Sequence, residues 1–145
     1  MKIIPFEEKY RDDMIFMILE AKNSLGRVPR LNGDLLDIKA NYFSKGDMFW
    51  VAVNDNDRVV GSVGYSSIES STEVRLQRLF VKYNLKRSGI GTQLLQTAEA
   101  HARQHGKTAV HVHLGAPKEQ WFESYSFYPK NGYVEYEERH MKKHL

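Results

Sequence analysis

The sequence predicts an α/β (α+β) protein with a mixed, mostly antiparallel central sheet of six to seven strands flanked by four helices. Three observations carry this. Strand-length apolar runs alternate with segments of helical periodicity along the whole chain. Three of those runs, between Met48 and Val81, follow one another across short polar turns, as in an antiparallel meander. After them comes a strand, a glycine-containing turn, a helix and another strand, an order that implies a parallel crossover. At 145 residues, one domain over 1–145 is expected.

Lys2-Ile3-Ile4-Pro5-Phe6 reads as the first strand, with Pro5 placing it at an edge or at the strand's end. From Asp12 to Leu25, Met14, Ile15, Met17, Ile18 and Ala21 recur with helical spacing, and Gly26 is a stop. Asn32-Gly33-Asp34 can cap a second helix over Leu35 to Phe43. Strands follow at Met48 to Val53, Arg58 to Tyr65 and Val74 to Val81. The third helix runs from Gly89 to His105, burying Ile90, Leu94, Leu95, Ala98 and Ala102, with Glu99 among its outward residues. A strand at Thr108 to Leu114 precedes a fourth helix, with Pro117 at its first position, reaching Phe127. Tyr133 to Tyr136 is the sixth strand, and Arg139 to Leu145 a seventh if it pairs.

Composition excludes several classes. The formal charge of +3 is mild and its cations are interspersed with acids, so neither nucleic acid nor a membrane surface is expected as a partner. There is no cysteine, hence no disulfide, thiolate nucleophile or cysteine metal site. The charged N-terminus does not match a signal peptide, and a cytoplasmic protein, monomer or homodimer, is expected. His101 and His105 share i, i+4 spacing, and His111 and His113 share a strand face. Neither pair has a third ligand nearby in sequence, so no metal is expected.

The chemistry concentrates in Leu79 to Leu95. A strand ends at Val81, Lys86 and Arg87 bring positive charge, and Gly89-Ile90-Gly91 opens a helix. The first N–H groups of a helix lack intrahelical partners, and glycine lets an anion approach the backbone. The dinucleotide fingerprint is excluded because Leu94 stands where its third glycine belongs, and no G-K-[ST] follows as a Walker loop requires. What remains is an anion site of unspecified kind.

Lys86-Arg87-Ser88-Gly89-Ile90-Gly91 resembles motif A of the GNAT acetyltransferases, Q/R-x-x-G-x-G/A, with Lys86 where Gln or Arg is usual. Phe127-Tyr128-Pro129-Lys130-Asn131-Gly132-Tyr133 is similar to that family's motif B, F-Y-x-x-x-G-F. The order of elements matches too, over nearly the whole chain. The resemblance implies the GNAT fold, with a sheet splayed between the fourth and fifth strands, and an N-acetyltransferase that moves an acetyl group from acetyl-CoA to an amine-bearing acceptor, small molecule or protein. It implies that the Leu79-Phe80-Val81 run holds the pantetheine arm as an added strand. Lys86, Arg87, Ser88, Gly89, Ile90, Gly91 and Thr92 would surround the pyrophosphate. Tyr128 is the matched general acid, and Pro129 beside it is a departure that puts its orientation in question. Many members carry a glutamate where this chain has Arg75; Glu73, two residues earlier on the same strand face, is the remaining candidate base, acting through water. Trp121 stands where relatives that acetylate protein N-termini carry Asn. Arg75 and Pro129 leave open an alternative, a catalytically silent acyl-CoA-binding module.

Overall fold

The computed structural model describes residues 1–145. Its strands are β1 (Lys2–Pro5), β2 (Met48–Val53), β3 (Val59–Ser67), β4 (Glu73–Val81), β5 (Ala109–His113), β6 (Val134–Glu137) and β7 (His140–His144). Its helices are α1 (Arg11–Ser24), α2 (Ile38–Asn41), α3 (Ile90–Gln104) and α4 (Phe122–Lys130). The seven strands form one sheet in the order β1-β2-β3-β4-β5-β7-β6. Every pairing is antiparallel except β4 with β5, the pair joined through α3. No helix is long and apolar enough to cross a membrane.

Strand alternation gives the sheet two apolar faces. Trp50, Ala52, Val63, Tyr65 and Leu76 pack against Leu94, Leu95 and Ala98 of α3. Phe49, Val51 and Val53 turn the other way, onto Met14, Met17 and Ile18 of α1 and Ile38 of α2. The α1 stripe was legible because its buried residues recur every three to four positions. Asp13 fastens α1 to the sheet, accepting from the Arg58 guanidinium at 2.9 and 3.0 Å and from the Val59 N–H at 2.8 Å.

The structure departs from the sequence reading in three places. The helix expected over Leu35 to Phe43 is divided into a 3-10 turn at Gly33–Leu36, α2, and a second 3-10 turn at Phe43–Lys45. Asp37 divides it: its backbone leaves the helical region at φ −145° and its carboxylate accepts from the Ala40 N–H at 3.0 Å, so it starts α2 as a cap. Glu99, expected outward, is buried and accepts from the Tyr133 hydroxyl at 2.8 Å and Lys143 Nζ at 3.3 Å. It sits on the stripe beside Leu95 and Ala102, and the residues after α4 bring it partners from afar. The fourth helix begins later than Pro117 and continues through Pro129 to Lys130.

Gly64 shows how closely the second face is packed. A Cβ there would lie 2.5 Å from the Phe49 ring and 3.0 Å from the Tyr42 ring, both fully buried. Gly64→Ala is therefore expected to destabilise the fold by about 1–3 kcal/mol through overpacking. A urea unfolding midpoint equal to the parent's would contradict this.

Candidate active site

The central opening arises where β4 leaves β5. These strands pair only over Glu73, Arg75 and the residue between them, opposite Ala109 to His111. From Leu76 to Val81 that edge of β4 has no strand partner, while its other edge stays on β3. The pairing with β3 also slips by one: Ser62 faces Phe80 but Gly64 faces Gln77, so Arg78 and Leu79 share Val63. This is a β-bulge, a device that bends a strand. Arg78 adopts the left-handed φ of +59° to make it, at a cost of roughly 1–2 kcal/mol for a residue with a Cβ. Ser62 Oγ donates to the Arg78 carbonyl at 2.8 Å, and Asp34 accepts from the guanidinium through both oxygens at 2.9 and 3.1 Å.

Beyond Val81 the chain turns, with the Leu85 N–H on the Lys82 carbonyl and Ser88 Oγ donating to the Leu85 carbonyl. Arg87 at φ +64° and Gly89 at φ +86° then direct the chain into α3. None of the backbone N–H groups from Lys86 to Thr92 donates to another group of the chain. A Cβ on Gly89 would meet nothing within 4 Å, so the space above these donors is open. Gly91 is different: its added Cβ would rest at 3.5 Å from the Phe127 ring and 3.6 Å from Val81, ordinary contact distances. Gly89 is thus required by its backbone, and Gly91 is not required by crowding. Lys86 does not point freely into this space; its Nζ pairs with Glu123 at 3.0 Å.

Tyr128 is positioned by the end of α4. The Tyr133 N–H donates to the Tyr128 carbonyl and the Gly132 N–H to the Pro129 carbonyl, with Gly132 at φ +92°. That is a Schellman motif, and its usual apolar contact is here the Tyr128–Tyr133 ring pair, 5.4 Å between centroids. Pro129 falls in the last turn and leaves this closure intact. Tyr128 is 9% exposed; its hydroxyl has no partner in the chain, yet it is not sealed from the surface. Burial pushes its pKa above the ordinary tyrosine value, so it is protonated at neutral pH. Leu79, Val81, Phe127 and Tyr128 belong to one apolar cluster, which brings the two sequence motifs together.

Glu73 stands apart from that cluster, before the strands part. Its carboxylate accepts from His111 Nε2, and His111 Nδ1 faces the Tyr136 hydroxyl at 3.0 Å. The bond to His111 holds its pKa below the usual carboxylate range. Arg75 is exposed. Trp121 lies over Gly115, where an added Cβ would come within 1.9 Å of the indole, and the Arg27 guanidinium lies 3.4 Å from the centre of its ring. Arg27, Asp34, Arg78 and Lys22 form a charged group without a sequence signature. They come from three separate segments that only the tertiary fold unites. His101 and His105 stack at 4.0 Å and His113 stacks on His140 at 4.4 Å.

Residues 45–135 match the family model described as Acetyltransferase (GNAT) domain. The chain is 43% identical over 82 residues to a protein of Xenopus tropicalis named Probable N-acetyltransferase camello, a match spanning 55% of this chain and 37% of that protein. It is 38% identical over 87 residues to human N-acetyltransferase 8, spanning 57% and 38%. It thus spans well under half the length of these curated relatives. The whole fold superposes on an acetyltransferase of the GNAT family from Staphylococcus aureus Mu50 with a TM-score of 0.89 at 22% identity, covering 99% and 98% of the two chains. The PaiA N-acetyltransferase from Thermoplasma acidophilum, solved in complex with coenzyme A, superposes at 0.78 with 18% identity and the same coverage. Both share the fold of this chain.

The Asp34–Arg78 pair supports the bulge, and its pH dependence has a definite sign. Burial raises the Asp34 pKa, but the Arg78 fork and the Tyr42 hydroxyl at 2.7 Å outweigh it and hold the carboxyl below its ordinary value. The stabilisation is therefore complete above the unfolded-state value of about 4 and is lost as pH falls through the lower folded value. Asp34→Asn should cost about 1.5–3 kcal/mol at neutral pH. The deficit should shrink in acid, where the parent loses the same pair. Denaturant midpoints of both proteins across this range check it; a deficit independent of pH would contradict it.

Proposed function

The chain belongs to the GNAT acetyltransferase family, and on that premise we propose that it moves an acetyl group from acetyl-CoA to a primary amine by direct attack. The observation that carries this reading is the unpaired β4 edge from Leu76 to Val81 leading into the unpartnered N–H groups of Lys86 to Thr92. An extended arm of amides needs a free strand edge. A diphosphate needs convergent N–H donors at a helix start, with space above them. The two stand in sequence here, in the order in which a pantetheine arm and a pyrophosphate follow one another.

In this reading the backbone of Leu79, Phe80 and Val81 aligns the arm. The N–H groups of Arg87, Ser88, Gly89, Ile90, Gly91 and Thr92 take the pyrophosphate. Lys86 contributes charge at the same place, shared with Glu123. The amine nitrogen forms its bond to the thioester carbonyl carbon, and the carbon–sulfur bond breaks. The sulfur leaves as a thiolate, and Tyr128 supplies the hydrogen bond or proton that stabilises it. A phenol with a raised pKa is a weak proton donor but remains a hydrogen-bond donor throughout, and a thiolate of ordinary pKa about 8.5 needs little more. The proton lost by the amine leaves through water toward Glu73 and its partner His111. Glu73, held low by that partner, is ionised at neutral pH and weakly basic, which suits a relay better than direct abstraction.

Acetyl-CoA should raise the melting temperature, since it binds the folded state alone. CoA thiol should then be released on addition of a suitable amine from a broad panel. Absence of any melting shift at saturating acetyl-CoA would refute the reading. Binding without release for any amine would leave a CoA-binding module. Gly89→Glu should abolish the melting shift by placing a carboxylate above the N–H donors. Gly89→Ala, which carries the backbone strain alone, should keep most of it. Tyr128→Phe should leave the shift in place and lower turnover on the order of a hundredfold; unchanged turnover would remove Tyr128 from the chemistry.

A further inference from the structure

We propose that the acceptor is a primary amine that also carries a carboxylate, and that Lys22 and Arg27, beside Arg78, receive that carboxylate on the α1 face of the sheet. The proposal rests on the acetyl-transfer reading above and names the class of acceptor.

Lys22 is only 9% exposed, on the inward side of α1. Its ammonium donates to the Arg30 carbonyl at 2.9 Å and to Asn32 Oδ1 at 2.5 Å, and it lies 5.7 Å from the centre of the Phe80 ring. Both oxygens are neutral, and Lys22 forms no ion pair. A buried charge without a counter-charge is costly, and lysine is seldom buried unless paired. The field around it makes this worse: burial, then Arg78 and Arg27, lower its pKa, and Asp34 offsets only part.

Arg27 repeats the pattern. Its Nε and one terminal nitrogen donate to the Gln120 carbonyl at 3.3 and 3.2 Å, while its plane rests on Trp121. The remaining nitrogen has no partner, and no carboxylate pairs with the guanidinium. The two acids whose fields reach this region are already committed, Asp34 to Arg78 and Glu123 to Lys86. Two positive charges are therefore left uncompensated, one of them nearly buried.

The donor, in the reading above, lies on the other face of β4. Leu79 and Val81 turn toward α3, the face that carries the unpartnered N–H groups, whereas Phe80 and the Lys22 above it lie on the α1 face. An anion held by Lys22 and Arg27 sits across β4 from one held at the start of α3. On that α1 face of β4, a carboxylate a few bonds from the attacking nitrogen would neutralise the pair. Charge-assisted bonds of this kind, in a partly desolvated place, set specificity strongly.

The test compares matched acceptors in the CoA-release assay: several α-amino acids, the primary amide of each, and the decarboxylated amine of each. The carboxylate form should be favoured by at least about tenfold in kcat/KM, the ratio that one charge-assisted contact of about 1.4 kcal/mol produces. That preference should collapse toward unity in Arg27→Gln and in Lys22→Met, with acetyl-CoA still raising the melting temperature of each variant. Two variants are needed because Lys22 also anchors the segment after α1. Amides or plain amines used as well as the carboxylate forms would overturn the proposal. So would a preference that survives both substitutions. A loss of acetyl-CoA affinity with the preference unchanged would assign the cations to a phosphate of the donor and overturn it equally. Binding of acetyl-CoA with no release from any amine would instead refute the transfer reading, and this inference with it.

Discussion

Beyond the point where β4 leaves β5, the free stretch of β4 is shaped by a single backbone event. Arg78 takes a left-handed conformation in the middle of β4, and two residues of that strand then share one position of β3. The strand bends there, a few residues after its last pair with β5. A non-glycine residue persists in such a conformation only where its surroundings over-determine it. Here they do so from both ends of the residue, with Ser62 on the carbonyl and Asp34 on the guanidinium. Tyr42 braces Asp34 from behind, and Gln77 is held by Ser66 beside it. The polar groups that stabilise the bulge thus come from β3, from the segment after α1 and from the end of α2.

Tyr128 illustrates the opposite economy, in which a local motif does the positioning. Its place is set within six residues by the closing hydrogen bonds of α4 and the left-handed Gly132. Pro129 removes an N–H that would have donated back to Tyr125, but it removes nothing from that closure, because the Schellman bonds use the carbonyls of Tyr128 and Pro129 as acceptors. The aromatic contact with Tyr133 then fixes the ring. Burial keeps the hydroxyl protonated, and the lack of any partner for it leaves the hydrogen free for a ligand.

The sequence disclosed the elements whose physics is local. The stripes of α1 and α3, the meander of β2 to β4 and the glycine turn before α3 each follow from periodicity or backbone freedom over a few residues. So do the unpartnered N–H groups of Gly89 to Thr92, because a helix start always has them, whereas those of Lys86 to Ser88 belong to the turn before it. What it did not disclose depends on residues far apart. Glu99 reads as an outward residue until Tyr133 and Lys143 arrive to satisfy it. Lys86 reads as a free cation until α4 brings Glu123 to it. The break at Asp37 is instead local: the residue type is a good cap, yet the apolar spacing around it speaks as strongly for one continuous helix.

This division follows the two kinds of recognition that the opening offers. One side of β4 presents backbone: an unpaired strand edge and the first N–H groups of a helix. Backbone donors are the same whatever the side chains, so their only sequence requirement is permission, a glycine at φ +86° and a helix that begins at the right place. The other side presents side chains, Lys22 from α1, Arg27 and Asp34 from the segment after it, and Arg78 from the bulge. No spacing rule connects those four, because their distances in sequence reflect loop lengths and not the geometry of a ligand. A site made of backbone can stay constant while a site made of side chains changes one residue at a time. In the proposed reading the donor half is accordingly legible as a motif. The proposed acceptor half has to be read as a balance of charge and burial in the folded molecule.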